Sequence, residues 1–250
     1  YKETLVYAFM GFLAVNIYNI YTNKKKGINI LLLLMVTLFI LLVKPYTIYA
    51  LSFALGMSVL IYYLAKLQND HIFKKFLGFL IITGVMLFVL YLVNSYDDFI
   101  LDFVDTSNFY QELYNAGEAG SSFEIGQIET SFAGLIKKAP LAFYTTYFRP
   151  HIWEAGNAFL LFNAIESFMV LALVIFTFIK RLRSINQFFK ESILAKVILY
   201  YCILMGILIG LTTFNFGTIV RYKATAMPLF CMMWFLILLH SGPKKRKNAE

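Results

Sequence analysis

Long apolar runs, broken by short polar and basic stretches, dominate this chain from one end to the other. A helix that crosses a membrane needs about 20 mainly apolar residues, within a range of about 17–25. Seven segments meet or approach that length: Leu5–Tyr21, Gly27–Val43, Tyr46–Leu67, Phe76–Val93, Phe159–Ile179, Val197–Phe214 and Ala224–His240. Asn16 and Asn19 interrupt the first, and none has the flanks of a cleavable signal peptide. The pattern predicts an all-α fold, a polytopic transmembrane helical bundle of about seven spans.

The polar breaks alternate in character. Lys24, Lys25 and Lys26 follow the first run, and Lys66, Lys74 and Lys75 lie at or between the ends of the third and fourth. Lys180, Arg181, Arg183, Lys190 and Lys196 lie between the fifth and sixth, and Lys244, Lys245, Arg246 and Lys247 follow the seventh. All four clusters fall on one side of the predicted bundle, which the positive-inside rule makes cytoplasmic. The expected location is a bacterial cytoplasmic (inner) membrane, with Tyr1 outside and Glu250 inside. Residues 1–93 then hold four spans, 94–156 an external loop, 157–240 three spans and 241–250 a basic cytoplasmic tail.

The external loop carries nine acids against three bases, Lys137, Lys138 and Arg149. In "DDFILDFVDTSNFYQELY", Phe99, Ile100, Phe103 and Val104 share one helical face, and Asp98, Asp102 and Asp105 the other. That aspartate face reads as solvated, since it lacks a full set of oxygen ligands for a cation. "NAGEAGSSFEIGQ" predicts a mobile loop. The apolar run in "APLAFYTTYF" is too short to span and predicts an interfacial or re-entrant helix.

Composition agrees with a membrane solvent. Apolar residues make up 60% and charged residues 14%, against about 45–50% and about 25% in soluble domains. The net charge of +8 is carried by the basic loops and does not imply a nucleic-acid partner. Cys202 and Cys231 sit in apolar runs as small hydrophobes. No metal, nucleotide or hydrolase motif appears, and the residues imply no particular cofactor. The chain starts at Tyr1 rather than Met, which fits a piece of a longer protein.

One stretch departs from the rest: "YFRPHIWEAGN" gathers Arg149, His151, Trp153 and Glu154 just before the fifth span. Arg149 offers a planar fork suited to phosphate or carboxylate, and Glu154 offers an acceptor or a base. Trp153 is the residue type of a headgroup boundary. Lys44, Arg221 and Lys223 also end or begin spans on the external side, so Lys44, Arg149, His151, Arg221 and Lys223 are expected at one depth beside Glu154. Converging, they make a cationic pocket for a lipid-borne diphosphate. Not converging, they snorkel to lipid headgroups. Glu166 lies well inside the fifth span, flanked by Asn163 and Ser167. A carboxylate there marks a functional site or a helix–helix hydrogen bond.

The string "GSSFEIGQIETSFAGLIKKAPLAFYTTYFRPHIWEAGNAFLLFNAIESF" resembles a group of bacterial multi-pass membrane proteins of surface-polysaccharide and lipid-linked glycan assembly. The shared features are a Gly/Ser turn, an amphipathic P-x-A helix, an F-R-P-x-x-W-E core, and a span with a small-residue, hydrophobic, Glu step. "NFGTIVRYKATAMPLF" resembles the R-Y-x-x-x-x-x-P step of that group and of membrane glycosyltransferases of the GT-C type. The resemblance covers roughly residues 115 to 230. It implies a glycosyl-transfer or polymerisation step on a lipid-linked diphosphate glycan, with Glu154 as the base and Arg149, Arg221 and Lys44 holding diphosphate or acidic sugar. GT-C transferases place a catalytic carboxylate in a first external loop. Only residues 1–4 precede the first predicted span here, so either an N-terminal piece is missing or that analogy ends there. Two rival readings remain: a transporter or flippase centred on Glu166, and a non-catalytic membrane subunit docked to protein partners.

Overall fold

A computed structural model describes residues 2–21, 26–67, 97–116 and 121–240. Helices account for nearly all of them: α1 (Lys2–Tyr21), α2 (Lys26–Val43), α3 (Pro45–Leu67), α4 (Asp97–Ala116), α5 (Phe132–Phe148), α6 (Ala158–Glu191), α7 (Ile193–Thr212), α8 (Phe216–Lys223) and α9 (Met227–Leu239). A 3-10 turn covers Ile152–Glu154. Among the described residues the one extended pairing is an isolated antiparallel bridge, Ser122 with Asn215.

Two helical stretches are long and apolar enough to cross a membrane: Ala158–Leu182 within α6, and Leu194–Thr212 within α7. A third is counted if α8 and α9, bent by 62° across their break, form one span. Helix α2 is apolar but shorter, with Gly27–Val43 as its apolar part. Helices α1 and α3 stand where spans are predicted, and the predicted span Phe76–Val93 lies outside the described residues. Among the described residues the fold is thus all-helical, with two or three candidate spans by length and composition. The last predicted run, Ala224–His240, is divided differently: its first residues form the break, and α9 is only its lower part.

Helix α6 continues past its apolar part to Glu191, with a kink at Arg181, and Ser192 alone separates it from α7. Ser192 accepts from Ala195 N and starts α7, so a single residue carries the chain from one helix to the next. Arg181 Nε donates to Leu238 O at 3.1 Å, and His240 faces Glu191. Helix α9 therefore runs alongside α6 and ends near it.

Helix α7 is the centre, with α3 and α5 both packed against it. Its sequence Gly206-Ile-Leu-Ile-Gly210 removes two side chains from one face, which lets another backbone approach closely. A Cβ at residue 210 would overlap the Ala142 carbonyl, and one at 206 would overlap the rings of Phe143 and Tyr147. Thr146 Oγ1 donates to Gly206 O at 2.7 Å and Tyr147 OH to Cys202 O at 2.8 Å. Successive residues of α5 thus meet α7 at 210, 206 and 202, so the helices are antiparallel and α5 dips down the side of α7. Cys202 is ten residues below Thr212, about 15 Å at about 1.5 Å per residue.

The stretch between α4 and α5 differs from the loose loop its Gly/Ser content predicts. Residues 121–129 form no helix, and α4 clamps them. Asn108 both donates to Ile128 O and accepts from Ile128 N, each at 2.9 Å. Gln111 Oε1 accepts from Ile125 N, and Lys138 Nζ donates to Ile125 O. Phe123 N donates to Phe214 O and Phe216 N to Ser121 O. Buried Phe123, Ile125 and Ile128 make the strap a packed element despite its composition. On α4, Val104 is buried while Asp102 and Asp105 are exposed, as the periodicity predicts.

The α5–α7 contact gives a prediction about glycine. Gly210→Ala should destabilise the purified protein by about 1–3 kcal/mol, the usual cost of overpacking. Gly56→Ala, with nothing near the added Cβ, should not lower stability, because alanine favours helix. Thermal unfolding in detergent checks the pair, and equal transitions for Gly210→Ala and the parent would contradict the close contact.

Candidate functional site

The dip of α5 decides where the Arg149 loop lies. Helix α5 ends at Phe148, and Arg149–Pro150, joined by a cis peptide bond, turns the chain toward α6. The Arg149 carbonyl accepts from Ser167 Oγ at 3.0 Å. Ser167 is nine residues into α6, about 13.5 Å from Ala158 at about 1.5 Å per residue. Two helices thus place Arg149 well inside their lengths, beside Ser167 of α6 and beyond the level of Gly206 on α7. What the sequence did not show is that "YFRPHIWEAGN" begins where Arg149 meets Ser167, within α6 rather than at its first turn. Hydropathy marks where spans begin but carries no information on how far a short helix descends between them.

Arg149 is held on every side. Its guanidinium stands over the rings of Phe123, at 4.9 Å, and Phe216, at 5.3 Å, which are themselves stacked with centroids 4.7 Å apart. Its Nε lies 3.0 and 3.2 Å from the two Glu154 carboxylate oxygens, and Nη2 also donates to Oε1. Glu154 Oε2 further accepts from His151 N at 2.7 Å. Partial burial raises the Glu154 pKa, but the Arg149 side chain and the His151 amide outweigh it and hold the carboxyl below its ordinary value. The planar fork of Arg149 is therefore engaged within the protein. Glu154, depressed in pKa and occupied at both oxygens, is poised as an anchor for the loop more than as a proton acceptor.

The same Ser167 hydroxyl connects the loop to α8. Lys223 Nζ donates to it at 3.3 Å, and Glu166 Oε1 lies 3.9 Å from that amine. Lys223 is 1% exposed. It sits directly before the break between α8 and α9, so the tip of α5, the break and the middle of α6 meet at one level. Cys202 on α7 points its thiol at Ala226 O in that break. Lys44, 6% exposed, lies over the ring of Tyr222 at 4.5 Å and near that of Tyr46 at 5.6 Å, which brings the α2–α3 turn to α8.

Of the predicted site residues, the structure brings together Arg149, His151, Glu154, Glu166 and Lys223, with Lys44 joined through Tyr222. Arg221 is separate. Phe216, Ile219 and Lys223 form the buried face of α8, and Arg221, about 200° from Lys223 at about 3.6 residues per turn, is exposed. Trp153 is 82% exposed, with its ring 4.7 Å from that of His151, which in turn reaches Tyr144 OH at 3.3 Å. Sequence reasoning missed Phe123 and Phe216. Their pairing spans 93 positions, and no local pattern announces it. Among the described residues no group of His, Cys, Asp or Glu is placed to hold a metal ion. A small apolar cleft lined by Phe103, Thr106, Ser107, Tyr110 and Thr212 lies apart, between α4 and α7.

Comparison with protein families, with curated proteins and with solved structures returns no match for this chain.

The Arg149–Glu154 link has a defined pH sign. A carboxyl held below its ordinary value contributes stability that is fully present above about pH 4.5 and is lost as pH falls through the lowered value. Glu154→Gln should therefore cost about 1.5–3 kcal/mol at pH 7, the range for a hydrogen bond to a charged group, and the gap to the parent should close in acid. Arg149→Lys should cost nearly as much as Arg149→Ala, because lysine has neither the fork that holds Glu154 nor the flat cation set beside the Phe123 and Phe216 rings. Denaturation of the detergent-solubilised variants at pH 7 and pH 4 measures both. A pH-independent Glu154→Gln effect would contradict the ionised link.

Proposed function

We propose that this chain is a multi-pass protein of the bacterial cytoplasmic membrane, with about seven spans, and that it acts in lipid-linked glycan or surface-polysaccharide assembly. The Arg149–Lys223 cluster receives the anionic headgroup of a lipid-linked diphosphate at the external side. The observation that carries this reading is the buried Lys223 amine. An ammonium has three donors; Lys223 makes one hydrogen bond, to Ser167, and the carboxylate facing it is beyond hydrogen-bonding distance. A buried charge so incompletely satisfied is costly, and a phosphate oxygen meets that deficit. Helix α9 begins four residues later without a side-chain cap, and helix N-termini favour anions. In this reading Arg149 positions the loop, Lys44 adds positive charge beside α8, and Arg221 meets the headgroup on approach. Glu154, bound to Arg149 and to the His151 amide, holds that loop in place.

Exposed apolar side chains support the membrane setting. Phe162, Phe168, Met169 and Ile179 on α6, and Leu31, Leu34, Met35 and Leu42 on α2, all face outward, as lipid-facing residues do. A second reading has a specific observation in its favour. Transporters bind substrate near the membrane midplane between discontinuous helices, and the α8–α9 break together with the α5 tip has that form. A flippase moving the same lipid-linked anion uses the same cations.

The test is glycan production in cells that depend on this chain, normalised to its membrane level. Lys223→Gln should reduce production at least tenfold, a loss of about 1.4 kcal/mol or more in binding. Arg221→Gln should reduce it less, since Arg221 lies outside the cluster. Full production by Lys223→Gln would overturn the anion reading. Stable co-purification with other chains alongside full production would point to the non-catalytic subunit.

A further inference from the structure

Glu166 occupies an unusual place. Its side chain is 46% exposed, yet its helical neighbours Phe162, Ile165 and Met169 are exposed apolar residues. A carboxylate on such a face of a spanning helix is expensive and marks function. Among the described residues it makes no hydrogen bond, and its one ion-pair partner is Lys223 at 3.9 Å. That distance leaves both groups under-satisfied: the carboxylate keeps its lone pairs, and the amine keeps two of its three donors. The two stand on opposite sides of one wall, Glu166 toward the lateral face of α6 and Lys223 sealed inside.

We propose that Glu166 is an exchangeable counter-ion, which yields Lys223 to an incoming phosphate-type anion and takes up one proton as it does so. This deepens the proposed function and rests on it. The physical reason is Coulombic. A phosphate oxygen brought to Lys223 comes close to the Glu166 carboxylate, and two anions beside one buried cation repel strongly where the dielectric is low. Transfer of a proton from water to Glu166 gives a neutral carboxylic acid and leaves one anion opposite one ammonium. No other bond forms or breaks. Lys223 from α8 and the Cys231 thiol from α9 are the titratable groups that act on Glu166. The Arg149–Glu154 pair joins the cluster through the Arg149 carbonyl on Ser167, so it contributes orientation of the hydroxyl more than charge at Glu166. Binding of anion and of proton then strengthen each other, as linkage requires. Anion affinity at Lys223 rises as pH falls. A permanently neutral residue 166 removes that dependence and leaves affinity high at every pH.

The experiment measures inorganic diphosphate binding to the full chain, purified in detergent, by titration calorimetry from pH 5 to pH 8. Taking the ratio of parent to Glu166→Gln dissociation constants at each pH cancels the titration of diphosphate itself. The expected ratio is about tenfold or more at pH 8, as expected for removing a close like charge, and it falls as pH falls. Lys223→Gln should abolish binding in both backgrounds, and Lys223→Arg should retain it, which separates loss of the cation from loss of fold. A ratio that stays constant across the range, with the parent still binding diphosphate, would overturn the counter-ion exchange and leave the anion site standing. No binding by the parent at any pH would overturn both.

Discussion

Where α5 crosses α7, the Ala142 carbonyl fills the space that a side chain at residue 210 would need. This backbone-to-backbone approach is the constraint from which the rest of the site follows. It fixes the register in which Thr146 meets Gly206 and Tyr147 meets Cys202, and so fixes how deep α5 descends. The depth delivers Arg149 to the level of Ser167 on α6 and of the α8–α9 break. Tyr147 then stacks on Phe230 of α9 at 4.3 Å, which ties the lower half of the broken helix to the same packing. A polar cluster in this position does not assemble through its own attractions, since buried ion pairs rarely repay their desolvation. The apolar contact assembles it.

Much of this was legible in the sequence, and the omissions have physical causes. Hydropathy located α1, α2, α3, α6 and α7 because a spanning helix needs a long apolar run and nothing else supplies one. The same criterion assigned Ala224–His240 to one span, because the run after Lys223 is apolar enough to read as a single helix, while its first residues form the break of a 62° bend. "YFRPHIWE" stood out by its chemistry, and Arg149, Glu154 and His151 do lie in mutual contact. Their level along α6 and α7 was hidden, because it depends on two glycines of α7 about sixty positions later. The Gly206–Gly210 spacing of four was the available signal. The strap at 121–129 was hidden in a different way. Its Gly/Ser composition predicts mobility, while the order comes from Asn108 and Gln111, three positions apart on one face of α4 and satisfying its backbone.

The engagement of Arg149 changes how its chemistry should be understood. From sequence, its fork is free to meet a diphosphate. In the fold, the fork meets Glu154 and the guanidinium plane lies against two aromatic rings. Arginine is the one cationic side chain able to do both at once. The cation with capacity to spare is Lys223, whose buried amine is separated from the Arg149 carbonyl by a single hydroxyl. Function in this account is a property of the level where the α5 tip, the α8–α9 break and the middle of α6 meet.

With Ala158–Leu182 crossing a bilayer, the contact of Arg149 with Ser167 puts the loop below the surface, and Trp153 reports that depth directly. The chain has two tryptophans; Trp234 is buried, whereas Trp153 is exposed, four residues from Arg149. In a Trp234→Phe variant reconstituted into bilayers, bromine atoms placed at graded positions along the acyl chains quench the remaining indole according to its depth. The account predicts strongest quenching by bromines well down the chains, toward the middle of the layer. Strongest quenching by bromines next to the headgroups would put the loop at the surface and contradict it.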